Sequence, residues 1–331
     1  MAPHGRYDLQ TVRRLPDLRA AATRLRPYIV RTPLERSARL SELCEAEVWL
    51  KLECFQLTGS FKLRGALNAL LSLSEAERGR GVITASAGNH GLGVARAAAL
   101  VGVAATVVVP ETGSPAKIAA LRRSRAEVIL HGATYDAAEA LGRRLAAERG
   151  GLFVSAYNDA AVVAGGGTVA VEILEDLPAT RTLVVPAGGG GLISGIGLAA
   201  HDHDAGLVVY GAQSEASPAL HLARRAGRRV PVEVRDSLAD GLAGNVEPGS
   251  ITFDLVREHV RDIVLVTESD IAAAMRFLLE HEQVVVEGAA AVGVAALRRR
   301  LLDLGRSHPT VVVLTGRNVA ASTLRHAVFG L

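Results

Sequence analysis

"GVITASAGNHGLGVARAAALVGVAATVVVP", residues 81–110, holds a strand, a glycine-broken turn, a helix and a second strand. "GVITAS" (81–86) and "AATVVVP" (104–110) are continuous apolar runs rather than alternating ones, as strands covered on both faces require. "HGLGVARAAALVG" (90–102) between them reads as a helix. A strand, crossover helix and strand make the unit that joins parallel strands, so this stretch sets the fold class as α/β. Working outward, "SPAKIAALRRSRA" (114–126) is a helix with Ser114 as N-cap and Pro115 at its first position. "EVILHG" (127–132) follows as a strand, "TYDAAEALGRRLAAERG" (134–150) as a helix ending in glycine, and "LFVSAYN" (152–158) as a strand. The alternation resumes with "TLVVPAGG" (182–189), "LVVYGAQS" (207–214), "IVLVTES" (263–269) and "TVVVLTG" (310–316). Between 215 and 262 it is looser and richer in Pro, Gly and Arg; there is no repeat of fixed period.

Two α/β units are implied, and ligands of such folds bind beyond the C-terminal ends of the strands. Three glycine-rich stretches fall there: "SAGNHG" (86–91), "GGGGL" (188–192) and "TGRN" (315–318).

The bulk numbers exclude several classes. A length of 331 residues with 49% hydrophobic content allows one large or two ordinary domains with ample core. Aromatics are only 4%, so that core is built of Ala, Val and Leu. A formal charge of +3, with acids and arginines interspersed, gives no basic block for nucleic acid. Cys44 and Cys54 offer neither a disulfide framework nor a zinc spacing and fit a reduced, cytoplasmic protein. "MAPHGRYDLQ" has no apolar core of a signal peptide, and the longest apolar run (97–110) is too short to span a membrane.

Of 37 basic residues only Lys51, Lys62 and Lys117 are lysines. Arginine replaces lysine wherever a surface needs a cation, but not where an amine must lose its proton and attack a carbonyl. Lys62, in "GSFKLRGA" (59–66), is therefore a candidate nucleophile. "PAGGGGLISGIG" (186–197) places four glycines between a strand and a helix start, where backbone N–H groups converge on an anion. No G-K-[ST] follows, and Ile193 stands where a dinucleotide fingerprint needs its third glycine, so the loop suits a single phosphate. Ser86, Asn89 and His90 in "SAGNHG" suit a carboxylate, or simply cap a helix. "HDHD" (201–204) suggests a metal, but residues two apart do not share a helix face, and no metal site is expected.

With these blocks the chain resembles the pyridoxal-phosphate enzymes of the tryptophan-synthase-β type, specifically the threonine/serine dehydratase and serine racemase group. The likeness rests on "RTPL" (31–34), "VWLKLECFQLTGSFKLRGALNAL" (48–70), "ASAGNHG" (85–91), "AGGGT" (164–168), "VVPAGGGGL" (184–192), "LADGLAG" (238–244), "VVEGAAAVG" (285–293) and "LTGRN" (314–318). It implies fold type II: two parallel-sheet α/β domains with the active site in the cleft between them. The large, cofactor-binding domain would comprise 1–80 with 159–331, and the small, substrate-binding domain 81–158.

The resemblance implies that Lys62 forms the Schiff base with pyridoxal 5'-phosphate and that Phe61 packs on its ring. Gly188, Gly189, Gly190, Gly191 and Leu192 would cradle the phosphate. Asn89 would meet the phenolic oxygen with Asn158 close by, and Thr315 the pyridine nitrogen. Ser86, Ala87, Gly88, Asn89 and His90 would hold the substrate carboxylate. A neutral hydroxyl at Thr315 makes the ring a weaker electron sink, which favours expelling a β-substituent. The implied reaction is α,β-elimination on L-threonine or L-serine, giving a 2-oxo acid and ammonia, by a homodimer or higher homo-oligomer.

Three positions depart from the group. Racemases carry a serine where this chain has Ala87, which favours elimination over racemisation. Gln213 and Ala219 stand where relatives often have acidic metal ligands. Arg317 replaces a glycine, which leaves a dicarboxylic substrate such as a 3-hydroxyaspartate open. The chain ends soon after this motif, an ending that implies no C-terminal regulatory domain. A non-catalytic binding protein on the same fold is the alternative of another class, and Lys62 speaks against it.

Overall fold

The computed structural model describes residues 18–330 apart from Ser114. The Ser114 cap and the N-terminal decapeptide read above lie outside the described residues. Strands β1 (Leu34–Arg36), β2 (Val48–Lys51), β3 (Val82–Ala85), β4 (Ala105–Val109), β5 (Glu127–Leu130), β6 (Leu152–Phe153), β7 (Thr182–Pro186), β8 (Val208–Ser214), β9 (Asp262–Val266) and β10 (Thr310–Val313) form two sheets. The larger has the order β1-β2-β10-β7-β8-β9 and the smaller β5-β4-β3-β6. All pairings between these strands are parallel except β1 with β2. The α/β class with parallel sheets is as the 81–110 stretch requires.

Both sheets are covered on both faces, which is why their strands lack alternation. In the larger sheet Val184 and Val312 face a core with Ile271, Met275 and Leu278 of the helix Glu268–His281. Their neighbours Leu183, Val185, Val311 and Val313 face Val169, Ile173, Ile193 and Ile196 on the other side. Each such buried valine or leucine contributes about 1.5–3 kcal/mol of transfer free energy. The smaller sheet buries Ile83, Ala85 and Val108 against Ala138 and Ala146, and Val107 and Val109 against Ile118 and Leu121.

Several strands end before the sequence expectation, and at two of them the local reason is plain. "LFVSAYN" keeps its strand only to Phe153; Ser155 Oγ then accepts the Asn158 amide at 3.1 Å and turns Ala156–Asn158 out of the sheet. "IVLVTES" stops at Val266 because Thr267 and Asp270 form a capping box that starts a helix. In the looser segment 215–262 the helices Ala219–Ala226 and Ile251–His259 form. No helix among the described residues is long and apolar enough to cross a membrane.

Four helices bear on the site: Lys62–Leu71, Asn89–Val101, Ala160–Asp176 and Gly191–His203. They meet backbone to backbone through glycines. A Cβ on Gly165 would lie 2.5 Å from the Arg64 carbonyl oxygen, and one on Gly167 2.6 Å from that of Gly195. A Cβ on Gly93 would lie 3.1 Å from the Lys62 carbonyl. The "AGGGT" block thus ties the helix that begins at Lys62 to the helix that begins at the four-glycine turn.

Beneath Lys62 lies a closed ionic cluster. Arg64, fully buried, donates Nε and Nη2 to the two oxygens of Glu53, both at 2.8 Å. It donates Nη1 and Nη2 to the two oxygens of Glu172, again both at 2.8 Å. Lys51 Nζ reaches Glu172 at 2.7 Å and the Thr32 carbonyl at 2.8 Å. Two cations and two carboxylates balance, and the forked geometry satisfies the guanidinium that burial would otherwise penalise. Lys51 is therefore accounted for as a structural cation.

Candidate active site

Lys62 opens its helix, and its neighbours are held from the far end of the chain. The Phe61 amide donates to the Thr315 carbonyl at 3.0 Å and the Arg317 amide to the Gly59 carbonyl at 2.9 Å. This antiparallel bridge, centred on Ser60 and Gly316, clamps the lysine segment to "TGRN". Lys62 Nζ donates to the Ala156 carbonyl at 3.0 Å and lies 5.2 Å from the Phe61 ring centre. Burial pushes its pKa down to about 8, against an opposing pull from Glu287. At neutral pH roughly one amine in ten is then unprotonated, where an ordinary lysine offers about one in three thousand. Such an amine is a nucleophile and a base.

The glycine turn follows β7. Gly190 has φ of +93°, a conformation that β-branched residues avoid, and caps the helix Gly191–His203. The amides of Gly191, Leu192 and Ile193 open that helix with no intrahelical acceptor. The Tyr157 ring lies against the turn: a Cβ on Gly189 would be 2.5 Å from it. Thr252 Oγ1 donates to the Gly189 carbonyl at 2.6 Å and orients the turn from below. Gly190→Val is expected to lower the affinity for pyridoxal 5'-phosphate at least tenfold, since the left-handed backbone alone disfavours it by about 1–2 kcal/mol. Equilibrium dialysis of the folded variant measures this, and wild-type affinity would disprove the cup.

"SAGNHG" ends β3 and starts the helix Asn89–Val101 without a side-chain cap. Ser86 Oγ accepts the Gly88 amide at 3.1 Å, which leaves the first helical amides free for an anion. The His90 ring does not face the same way. Its Nε2 donates to the Val154 carbonyl at 3.1 Å, and its Nδ1 is buried without a partner among the described residues. Burial and the Lys62 charge push its pKa down to about 3, so the ring stays neutral and His90 can offer a substrate only its backbone amide. Ala87 packs with Val107, Ile118 and Leu121, and it brings no hydroxyl to this loop.

The Asn89 carboxamide donates to Glu287 Oε1 at 2.7 Å and accepts from Asn318 Nδ2 at 2.7 Å. Sequence reasoning assigned no role to Glu287, Asn318 or Tyr157; a lone acid heading the apolar run "GAAAVGVAAL" was the available signal for the first. Asn158 points elsewhere, its Oδ1 accepting the Ile251 amide at 3.0 Å and its side chain hydrogen-bonding Glu247. Thr315 is 4% exposed and its hydroxyl forms no hydrogen bond among the described residues. Ser60 Oγ is likewise buried without a partner among them.

Arg317 lies outside this set. Its guanidinium sits 5.0 Å from the Phe55 ring centre on the exterior, so the departure from the group's pattern brings no cation into the pocket. Lys117 pairs with Asp240 at 2.5 Å, reaching from beside the smaller sheet to the loop beside Glu287. The His201 and His259 rings meet at a tilt with centres 5.1 Å apart, and no group of three His, Cys, Asp or Glu among the described residues could hold a metal.

A lowered-pKa amine, a glycine turn that presents free amides at a helix N-terminus, and a set of buried hydroxyls and amides with unused hydrogen-bonding capacity fit pyridoxal phosphate. Comparison with known proteins agrees. Residues 25–316 match the family described as pyridoxal-phosphate dependent enzyme. The chain is 45% identical over 305 residues to an L-threonine ammonia-lyase of Thermotoga maritima, covering 92% of this chain and 75% of that protein. It is 39% identical over 320 residues to the catabolic L-threonine dehydratase TdcB of Escherichia coli K12, covering 96% of each. A solved maize serine racemase superposes with a TM-score of 0.89 at 30% identity, over 96% of this chain and 97% of that one. The chain therefore belongs to the pyridoxal-phosphate dependent enzymes, with pyridoxal 5'-phosphate as its cofactor.

Proposed function

We propose that this chain is a threonine/serine ammonia-lyase: L-threonine gives 2-oxobutanoate and ammonia, and L-serine gives pyruvate and ammonia. The observation that carries this is the Lys62 amine, held beside the glycine cup with its pKa lowered to about 8. The named activities of the relatives from Thermotoga maritima and Escherichia coli support it. When bound, pyridoxal phosphate supplies an electron sink for the α-carbon of the amino acid. Lys62 is the base that takes the α-proton. The β-hydroxyl leaves as water, and water returned at the C=N carbon releases ammonia, so the net loss is ammonia alone. The amides of Gly188–Leu192 hold the phosphate, and those of the Ser86–His90 loop hold the substrate carboxylate. Asn89 serves the phenolic oxygen, Phe61 the ring face and Thr315 the ring nitrogen; Asn158 contributes by holding the Ile251 helix against the cup.

The two sheets support a division into a cofactor-binding unit of 1–80 with 159–331 and a substrate-binding unit of 81–158. A cytoplasmic homo-oligomer completes the reading; both cysteines are free thiols.

Racemisation needs a proton donor on the face opposite Lys62, and Ala87 supplies none. L-serine is expected to yield pyruvate with D-serine at under about a tenth of that rate, and Ala87→Ser to raise the D-serine share severalfold. Chiral separation of residual serine alongside 2-oxo acid release measures both. D-serine appearing as fast as pyruvate in the wild type would overturn the assignment.

A further inference from the structure

We propose that Glu287 is a positioning residue: together with Asn318 at the other end of the carboxamide, it fixes the direction in which Asn89 faces the cofactor. The inference rests on the reading above that Asn89 serves the cofactor's phenolic oxygen. It follows from a chain of hydrogen bonds whose polarity can run only one way. The Thr58 carbonyl can only accept, and it takes a proton from Asn318 Nδ2 at 2.9 Å. That sets Asn318 with its amine inward, where the second N–H donates to Asn89 Oδ1 at 2.7 Å. Asn89 Nδ2 is thereby turned to Glu287 Oε1, at 2.7 Å. A flipped Asn89 would set its oxygen against a carboxylate and its amine against another amine. One N–H of Asn89 Nδ2 is left over once Glu287 has the first, and it is what the site offers to an oxygen ligand.

The surroundings are cut to this arrangement. Glu287 is only 6% exposed, and its side chain makes no ion pair with a cation among the described residues. Its backbone amide donates to the Gly316 carbonyl at 3.1 Å. A Cβ on Gly316 would lie 2.5 Å from Glu287 Oε1 and 3.2 Å from Asn89 Nδ2, so "TGRN" needs its glycine to admit the pair. An unpaired buried carboxylate costs stability, and it is retained here with its side-chain hydrogen bond to Asn89 aimed at the cofactor site. The charged groups that act on it are Asp240, Lys117 and Lys62. Burial first, then Asp240, raises its pKa to about 7. Protonation does not undo the arrangement, because a carboxylic acid protonated on Oε2 still accepts at Oε1.

Two substitutions separate acceptor from packing. Glu287→Met keeps the volume and removes the acceptor; Glu287→Gln keeps an acceptor and removes the charge. Glu287→Met is expected to weaken pyridoxal 5'-phosphate binding about tenfold, the worth of one hydrogen bond. Measured against Glu287→Gln, which loses the same charge, the Met variant should also raise by about one unit the pH at which the visible absorption band of the holoenzyme titrates, since a donor to the ionised oxygen is lost. Its thermal midpoint should not fall, and Glu287→Gln should bind within about threefold of wild type. Asn318→Ala, which frees the other end of Asn89, should shift the band in the same direction and serves if the Met variant does not fold. A loaded wild type with an equally loaded Met variant whose band titrates together with that of the Gln variant overturns the inference alone. So does a Gln variant as weak as Met. A wild type that takes up no cofactor sinks the functional reading and the inference with it.

Discussion

Lys62→Ala is expected to lower 2-oxo acid release from L-threonine at least about 10³-fold, the scale of losing a positioned base together with a covalent anchor. Wild-type protein treated with borohydride should carry the cofactor on the peptide containing Lys62, and the variant on none. The attachment has its own pH signature. Burial lowers the Lys62 pKa to about 8, so the reactive amine fraction rises up to that pH and levels above it. The initial rate of cofactor attachment should follow the same curve, half-maximal near pH 8 rather than near the ordinary lysine value of about 10.4. Activity retained in Lys62→Ala, or attachment still climbing steeply well above that midpoint, would remove Lys62 from its role.

The second large effect lies under the site. Arg64→Ala should cost about 3–5 kcal/mol of unfolding free energy, because it leaves Glu53 and Glu172 buried with one cation between them. Urea unfolding of the holoenzyme measures it. Arg64 sits two residues from Lys62 in one helix, so cofactor affinity should fall along with stability. A loss below about 1 kcal/mol would mean that the cluster is wetter or looser than its 2.8 Å contacts indicate.

The part of the fold legible in the sequence was the part made of buried parallel strands. Val107, Val108 and Val109 are buried on both faces, and an uninterrupted apolar run is their direct trace. β1 left no such trace: it has three residues, "LER", at the sheet edge with one half-buried and two exposed. The site divided along similar lines. Lys62 and Gly188–Gly191 are contiguous with the elements that present them, so their local strings carried the chemistry. Glu287 meets Asn89 across 198 residues, and Asn318 meets it across 229, distances at which no spacing rule operates. His90 shows the limit from the other side. Its motif placed it correctly at the loop, but only packing against Val154 decides that its ring turns inward. For Arg317 the expectation of a changed pocket gives way to a cation resting on Phe55.

The ion pairs of Lys51 and Lys117 have a further chemical consequence. Lys51 is fully buried against Glu172, and Lys117 is held at 2.5 Å by Asp240. Lys51 is shut away from solvent by its burial, so a dissolved aldehyde meets Lys117 at the surface and Lys62 in the site. The lowered pKa of Lys62 makes it the amine most ready to attack a carbonyl compound. Sugars, short-chain aldehydes and excess cofactor, which decorate lysine-rich surfaces slowly and at random, find arginine over most of this one. The scarcity that makes Lys62 conspicuous in the sequence thus also makes the folded molecule chemoselective: aldehyde chemistry at lysine is concentrated in the pocket built for it.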